Sequence, residues 1–128
     1  MAAHFLRPLL DTPGTPHRLI NATRKIVIAT TVEGAFDSAS RKKGLLGRDG
    51  LADEAALVIA PSNAVHMFGM RFAIDVLFAR RDGEVVKRVI GLERWRVAIA
   101  WRAFAAIELR ARHPAVAATA VGDRLVIE

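Results

Sequence analysis

The stretch FAIDVLFARRDGEVVKRVIGL, residues 72–92, constrains the fold more than any other part of the chain. Its two apolar runs flank Arg81-Asp82-Gly83-Glu84, and an Asp-Gly pair between apolar runs is a strong hairpin signal, because the turn needs positive φ. The first run is apolar on both of its alternating faces: Phe72, Ile74, Val76 and Phe78 point one way, Ala73, Leu77 and Ala79 the other. Such a strand is covered on both sides, so it lies inside a sheet sandwiched between two layers. Asp75 falls in the middle of this run. A carboxylate buried there requires a partner, and the sequence offers Arg41, Arg48, Arg71, His66 or a set of backbone N–H groups.

With 128 residues, 52% of them hydrophobic, the chain suits one domain with a single substantial core. Residues 1–16 hold Pro8, Pro13, Gly14 and Pro16 and are expected to be an irregular lead-in, with the domain occupying 17–128. Further strands are expected over 24–32 and 55–60 and in the closing RLVIE. A short helix within 33–47 should end near Gly44 and Gly47. The segment AFAAIELRA fits helix or strand, and HPAVAATAVGD suggests a helical turn followed by a tight turn at Gly122-Asp123. Strands outnumber helices and no βαβ alternation is visible. The expected class is α+β: a compact β-rich domain with a mostly antiparallel or barrel-like sheet and one or two short helices.

The absence of cysteine excludes disulfides, thiolate metal sites and a cysteine nucleophile. No run approaches the roughly 20 apolar residues of a membrane-spanning helix, and the N-terminus lacks a continuous apolar signal region, so a cytoplasmic location is expected. The net charge of +6 invites a nucleic-acid reading. The cations are spread from Arg7 to Arg124, however, and that reading is not favoured over a solvated basic surface.

The motifs RKKGLLGRDGL (41–51), NAVHMFGMRFAIDVLFARRDGEVV (63–86), GLERWR (91–96), AAIELRA (105–111) and VGDRLVIE, in this order, make the chain from about residue 17 onward resemble the domain of unknown function 192 family. The resemblance implies a compact, mostly β single domain with no assigned activity. Matching positions include Arg41, Arg48, His66, Asp75, Gly83, Glu108 and Asp123, and the resemblance gives none of them a catalytic role. Relatives commonly carry Thr after the His and Pro before the Ile-Asp pair, where this chain has Met67 and Ala73.

If the chain reverses tightly around Met70 and Arg71, antiparallel counting places His66 opposite Asp75; a shift at Gly69 places it opposite Ala73. The expected role is a small binding or accessory module with a polar site near His66, Arg71 and Asp75. The alternatives are an enzyme in which Asp75 orients His66 as general acid or base while Arg48 or Arg71 holds an anionic substrate, and a weak basic nucleic-acid module. Arg41, Arg48 and Arg71 are the candidate ligand-binding cations. No cofactor is implied, and no metal. The run His66-Met67-Phe68-Gly69-Met70 has ligands soft enough for Cu(I), but strand alternation sends His66 and Met67 to opposite faces. Trp95 and Trp101, interleaved with Arg94, Arg96 and Arg102, suit a stacking platform or, as the favoured reading, ordinary core or sheet packing. The same segment is a candidate homodimer contact.

Overall fold

The computed structural model describes residues 4–128. A five-stranded sheet with the order β3-β4-β9-β6-β7 forms its centre. These strands are β3 (Thr31–Ala35), β4 (Ala55–Ile59), β6 (Ile74–Ala79), β7 (Val85–Leu92) and β9 (Ala105–Arg110). All neighbours pair antiparallel except β3 and β4, which run parallel and are joined by a crossover carrying helix α2 (Ser38–Lys43). The sheet is open, with β3 and β7 at its edges, so it does not close into a barrel.

Every residue of β6 is buried, as its two apolar faces require. Alternation divides the central strands between two cores. Val58, Leu77, Ile107 and Leu109 point into the first, where they meet Leu19, Ile28, Val116 and Leu125. These come from a three-stranded sheet of order β10-β1-β2, made of β1 (Leu19–Asn21), β2 (Ile26–Ala29) and β10 (Leu125–Ile127), and from helix α3 (Pro114–Ala117). Leu57, Ile59, Ile74, Val76, Phe78 and Ala106 point into the second core, which is covered by Leu45, Met67, Met70, Val65 and Ala98. Val65 and Ala98 belong to β5 (Ala64–His66) and β8 (Val97–Ile99), which form a separate two-stranded sheet.

The hairpin at Asp82-Gly83 forms as its sequence requires. Arg80 N–H donates to the Glu84 carbonyl and Gly83 N–H to the Arg80 carbonyl, while Asp82 Oδ1 accepts from Glu84 N–H at 2.9 Å. Gly83 has φ of +89°, and a Cβ there would stand 2.2 Å from the Leu125 carbonyl oxygen, so glycine is demanded by conformation and by space. Helix α2 is capped by Asp37, whose carboxylate accepts from Ser40 N–H, and it stops at Gly44 with φ of +46°.

Two expectations change. The segment 24–32 is broken at Thr30 into β2 and β3, which enter different sheets. The lead-in is ordered: α1 (Arg7–Asp11) is a helical turn with Pro8 near its start, and Leu6 and Leu9 are buried in the first core. Proline fits the first turn of a helix, where no N–H partner is needed, so the apolar pair outweighs the breakers around it. Residues 1–3 of that lead-in lie outside the described residues.

Candidate functional site

Asp75 is fully buried and its partners are backbone groups. Oδ1 accepts from Gly91 N–H at 2.8 Å and Arg112 N–H at 2.9 Å, and Oδ2 accepts from His113 N–H at 2.9 Å. One carboxylate therefore ties β7 and the chain leaving β9 to the strand between them. This is an architectural role, because all three donors are main-chain groups and the carboxylate they satisfy is itself fully buried.

The expected His66–Asp75 pair does not form. Asp75 stands opposite Leu109 in the β6–β9 ladder, whereas His66 stands opposite Val97 in the β5–β8 ladder. The chain between β5 and β6 does not reverse as a tight hairpin. It makes a wide loop that buries Met67 and Met70, with Met67 bonded through both N–H and carbonyl to the 95–96 backbone. Arg71 and Arg48 are engaged elsewhere: Arg71 pairs with Asp49 at 2.8 Å and Arg48 with Glu33 at 2.7 Å, both at the surface.

His66 instead lines a different cavity, of about 150 Å³, in company with Arg41. One wall is the end of α2 and the turn after it, Arg41 to Leu46. The other is Pro61, Ser62 and Ala64 to Met67, with Met70 and Ile59 between. Glu108 also lines it, from β9. This glutamate stands between Leu57 of β4 and Val76 of β6, on the face that carries the second core, and is only 5% exposed. Its carboxyl has no hydrogen-bond partner among the described residues. Burial pushes its pKa up from 4.5 to about 7, and the more distant Arg48 charge opposes that rise. Arg41 reaches the cavity half-buried, with one guanidinium nitrogen donating to the Phe36 carbonyl at 3.1 Å. Lys42 and Lys43 stand exposed on the same rim.

Of the residues expected at a site, the cavity thus gathers His66 and Arg41 and leaves out Asp75, Arg48 and Arg71. Glu108 was not among them. The signal that finds it is the one that singles out Asp75, a lone carboxylate in an apolar run, here AAIELRA. The Met67 and Met70 side chains are core residues. Among the described residues no three His, Asp or Glu side chains gather as metal ligands.

The tryptophans are exposed, which overturns the expectation that they pack in the core or on the sheet: Trp95 is 65% and Trp101 80% exposed. They flank β8, of whose three residues only Ala98 is buried.

The architecture defines a class: an α+β domain with an open mixed sheet between two cores and a small cleft over the second. Within that class, the model of the DUF192 family, described as an uncharacterized ACR, matches residues 19–127, and the chain belongs to this family. A crystal structure of a protein of unknown function from Novosphingobium aromaticivorans is similar, with a TM-score of 0.72, 21% identity and coverage of 87% of this chain and 83% of that one. So is the crystal structure of a putative transcription regulator from Sinorhizobium meliloti, with a TM-score of 0.72, 24% identity and coverage of 85% and 89%. At these identities the likeness is one of fold. No curated protein matches the chain. No helix among the described residues is long and apolar enough to cross a membrane.

Proposed function

We propose that the protein is a binding module that takes a small anion, such as a carboxylate, into the cleft between α2 and β5. The observation that carries this reading is the placement of Glu108, nearly buried in the sheet, lining the cavity and without a protein hydrogen-bond partner among the described residues, where burial pushes its carboxyl up to about 7. A buried polar group with no partner is costly, and a ligand that supplies the missing hydrogen bond recovers that cost. The rim is cationic through Arg41, Lys42 and Lys43, which favours an anion, and a protonated Glu108 can donate to it. The volume is of the size that holds about six non-hydrogen atoms in an engineered cavity.

The test is titration with acetate, malonate and inorganic phosphate, followed by calorimetry or amide NMR shifts, at pH 6 and pH 8. Binding that needs protonated Glu108 is about ten-fold tighter at pH 6, because the competent fraction falls by that factor. Glu108→Gln keeps the affinity and removes the pH dependence, and Arg41→Ala weakens binding at both pH values. No binding of any probe, or tighter binding at pH 8, refutes the reading.

A second reading is favoured by His66, which lines the same cavity. A carboxyl that burial pushes up to about 7 and an imidazole lining one cavity suit proton transfer. An activity of this kind would be lost in both His66→Ala and Glu108→Gln, whereas simple anion binding survives the second change.

A further inference from the structure

We infer that the outer face of the β5–β8 sheet is a second binding surface, for single-stranded nucleic acid. A row of rings crosses it. His66 stacks on Phe68 with centroids 5.2 Å apart and planes inclined by 27°, and Phe68 meets Trp95 at 6.2 Å and 31°. Phe68 is 49% exposed, and the row ends on the open indole of Trp95. Trp95 is held with φ of +70°, a backbone conformation rare for a bulky side chain. Val97, Ile99 and Trp101 continue the apolar surface along β8.

Charge selects the occupant. Lys87, Arg94, Arg96 and Arg102 are exposed along and beside this face, and none is paired with a carboxylate among the described residues. Elsewhere seven arginines have such partners, Arg7, Arg18, Arg24, Arg48, Arg71, Arg110 and Arg124, and the other cations without one are spread over the rest of the surface, while these four gather beside the rings. Glu93 is the single acidic residue in 85–107. A symmetric pairing with a second copy would set these uncompensated cations against each other. An anionic partner is complementary. A row of exposed rings flanked by cations is a surface on which bases stack without regard to sequence, while the cations follow the phosphates. A lipid surface would satisfy the charges but needs no such alignment of rings.

Both tryptophans lie on this face, so their fluorescence reports on it directly. Titration with a twelve-nucleotide oligothymidylate and its uridylate counterpart at low salt should quench emission, and raising the salt should weaken binding along a log-linear slope. Trp95→Asn, with a residue that tolerates positive φ, should reduce affinity ~10-fold or more while leaving the melting temperature close to wild type. The double change Arg94→Glu, Arg96→Glu should weaken binding further and flatten the salt slope. Absence of oligonucleotide binding at low salt overturns the inference. So does binding that Trp95→Asn leaves intact, sedimentation with phosphatidylglycerol vesicles without oligonucleotide binding, or self-association lost in Trp95→Asn in its place.

Discussion

Replacing Glu108 by glutamine isolates the energetic consequence of burying its carboxyl, since the two side chains have the same shape and only one can ionise. Burial raises the folded-state pKa from 4.5 to about 7, so the folded chain retains a proton that the unfolded chain releases. The direction of the pH effect follows. Below pH 4.5 the group is neutral in both states and costs nothing. From pH 4.5 to 7 the unfolded state binds less proton than the native state, so stability falls as pH rises, and above pH 7 the loss is constant. At about 1.4 kcal/mol per pH unit, the gap between 4.5 and about 7 amounts to about 3 kcal/mol. Glu108→Gln should therefore unfold like wild type near pH 4.5 and be more stable by about 3 kcal/mol at pH 8. With an m-value of roughly 2 kcal/mol/M for urea, that is a rise in midpoint of about 1.5 M. Urea unfolding followed by tryptophan fluorescence or circular dichroism at pH 4.5, 6 and 8 measures it. A difference that does not change with pH, or a glutamine variant less stable at pH 8, would refute the argument that burial raises the pKa of this carboxyl.

Asp75→Asn places a donor among three backbone donors and should lower stability by at least about 3 kcal/mol, read as a fall in the urea midpoint. Gly83→Ala forces a Cβ against the Leu125 carbonyl at positive φ and should cost more than about 3 kcal/mol, measured the same way. Asp123 accepts from Ala120 N–H, Arg24 and Asn21, which hold its pKa down at about 2. Its stabilisation is present above pH 4 and is lost as pH falls from there toward 2, so melting temperatures over that range should drop less steeply in Asp123→Asn than in wild type.

The hairpin was legible because two residues, Asp82 and Gly83, carry its conformation locally, and β6 because both its faces are apolar. Segment 105–110 was not. Ala, Glu and Leu favour helix, and only burial on two sides at the middle of the sheet makes it a strand. The partner of β5 was also hidden. Its pairing with β8 joins segments some thirty residues apart, and nothing in the intervening chain marks that register, whereas the nearer reversal at Met70-Arg71 offered itself at once. Reading Asp75 as a buried carboxylate with backbone donors was within reach of the sequence; pairing it with His66 required a loop geometry that Met67 and Met70 decide by entering the core. Trp95 and Trp101 show the limit of composition as a guide, because hydrophobicity alone predicts burial and only position relative to the sheet decides exposure.

The parallel pairing of β3 with β4 imposes a connection that must run back from the end of one strand to the start of the next, and that connection supplies one wall of the cleft. It is tied down by the Asp37 cap, by the buried Leu45, by the Arg48–Glu33 and Arg71–Asp49 ion pairs, and at its end by the Asp53 and Glu54 carbonyls, which bond the His113 ring and the Thr30 and Thr31 N–H groups. Loop length is inexpensive for stability once both ends are fixed. Between these ties, exposed positions such as Lys42, Lys43 and Gly50 can change in number or composition while the strands on either side keep their registration. A protein built this way can acquire a new ligand by revising one connecting segment, with Glu108 retained beneath it as a common floor.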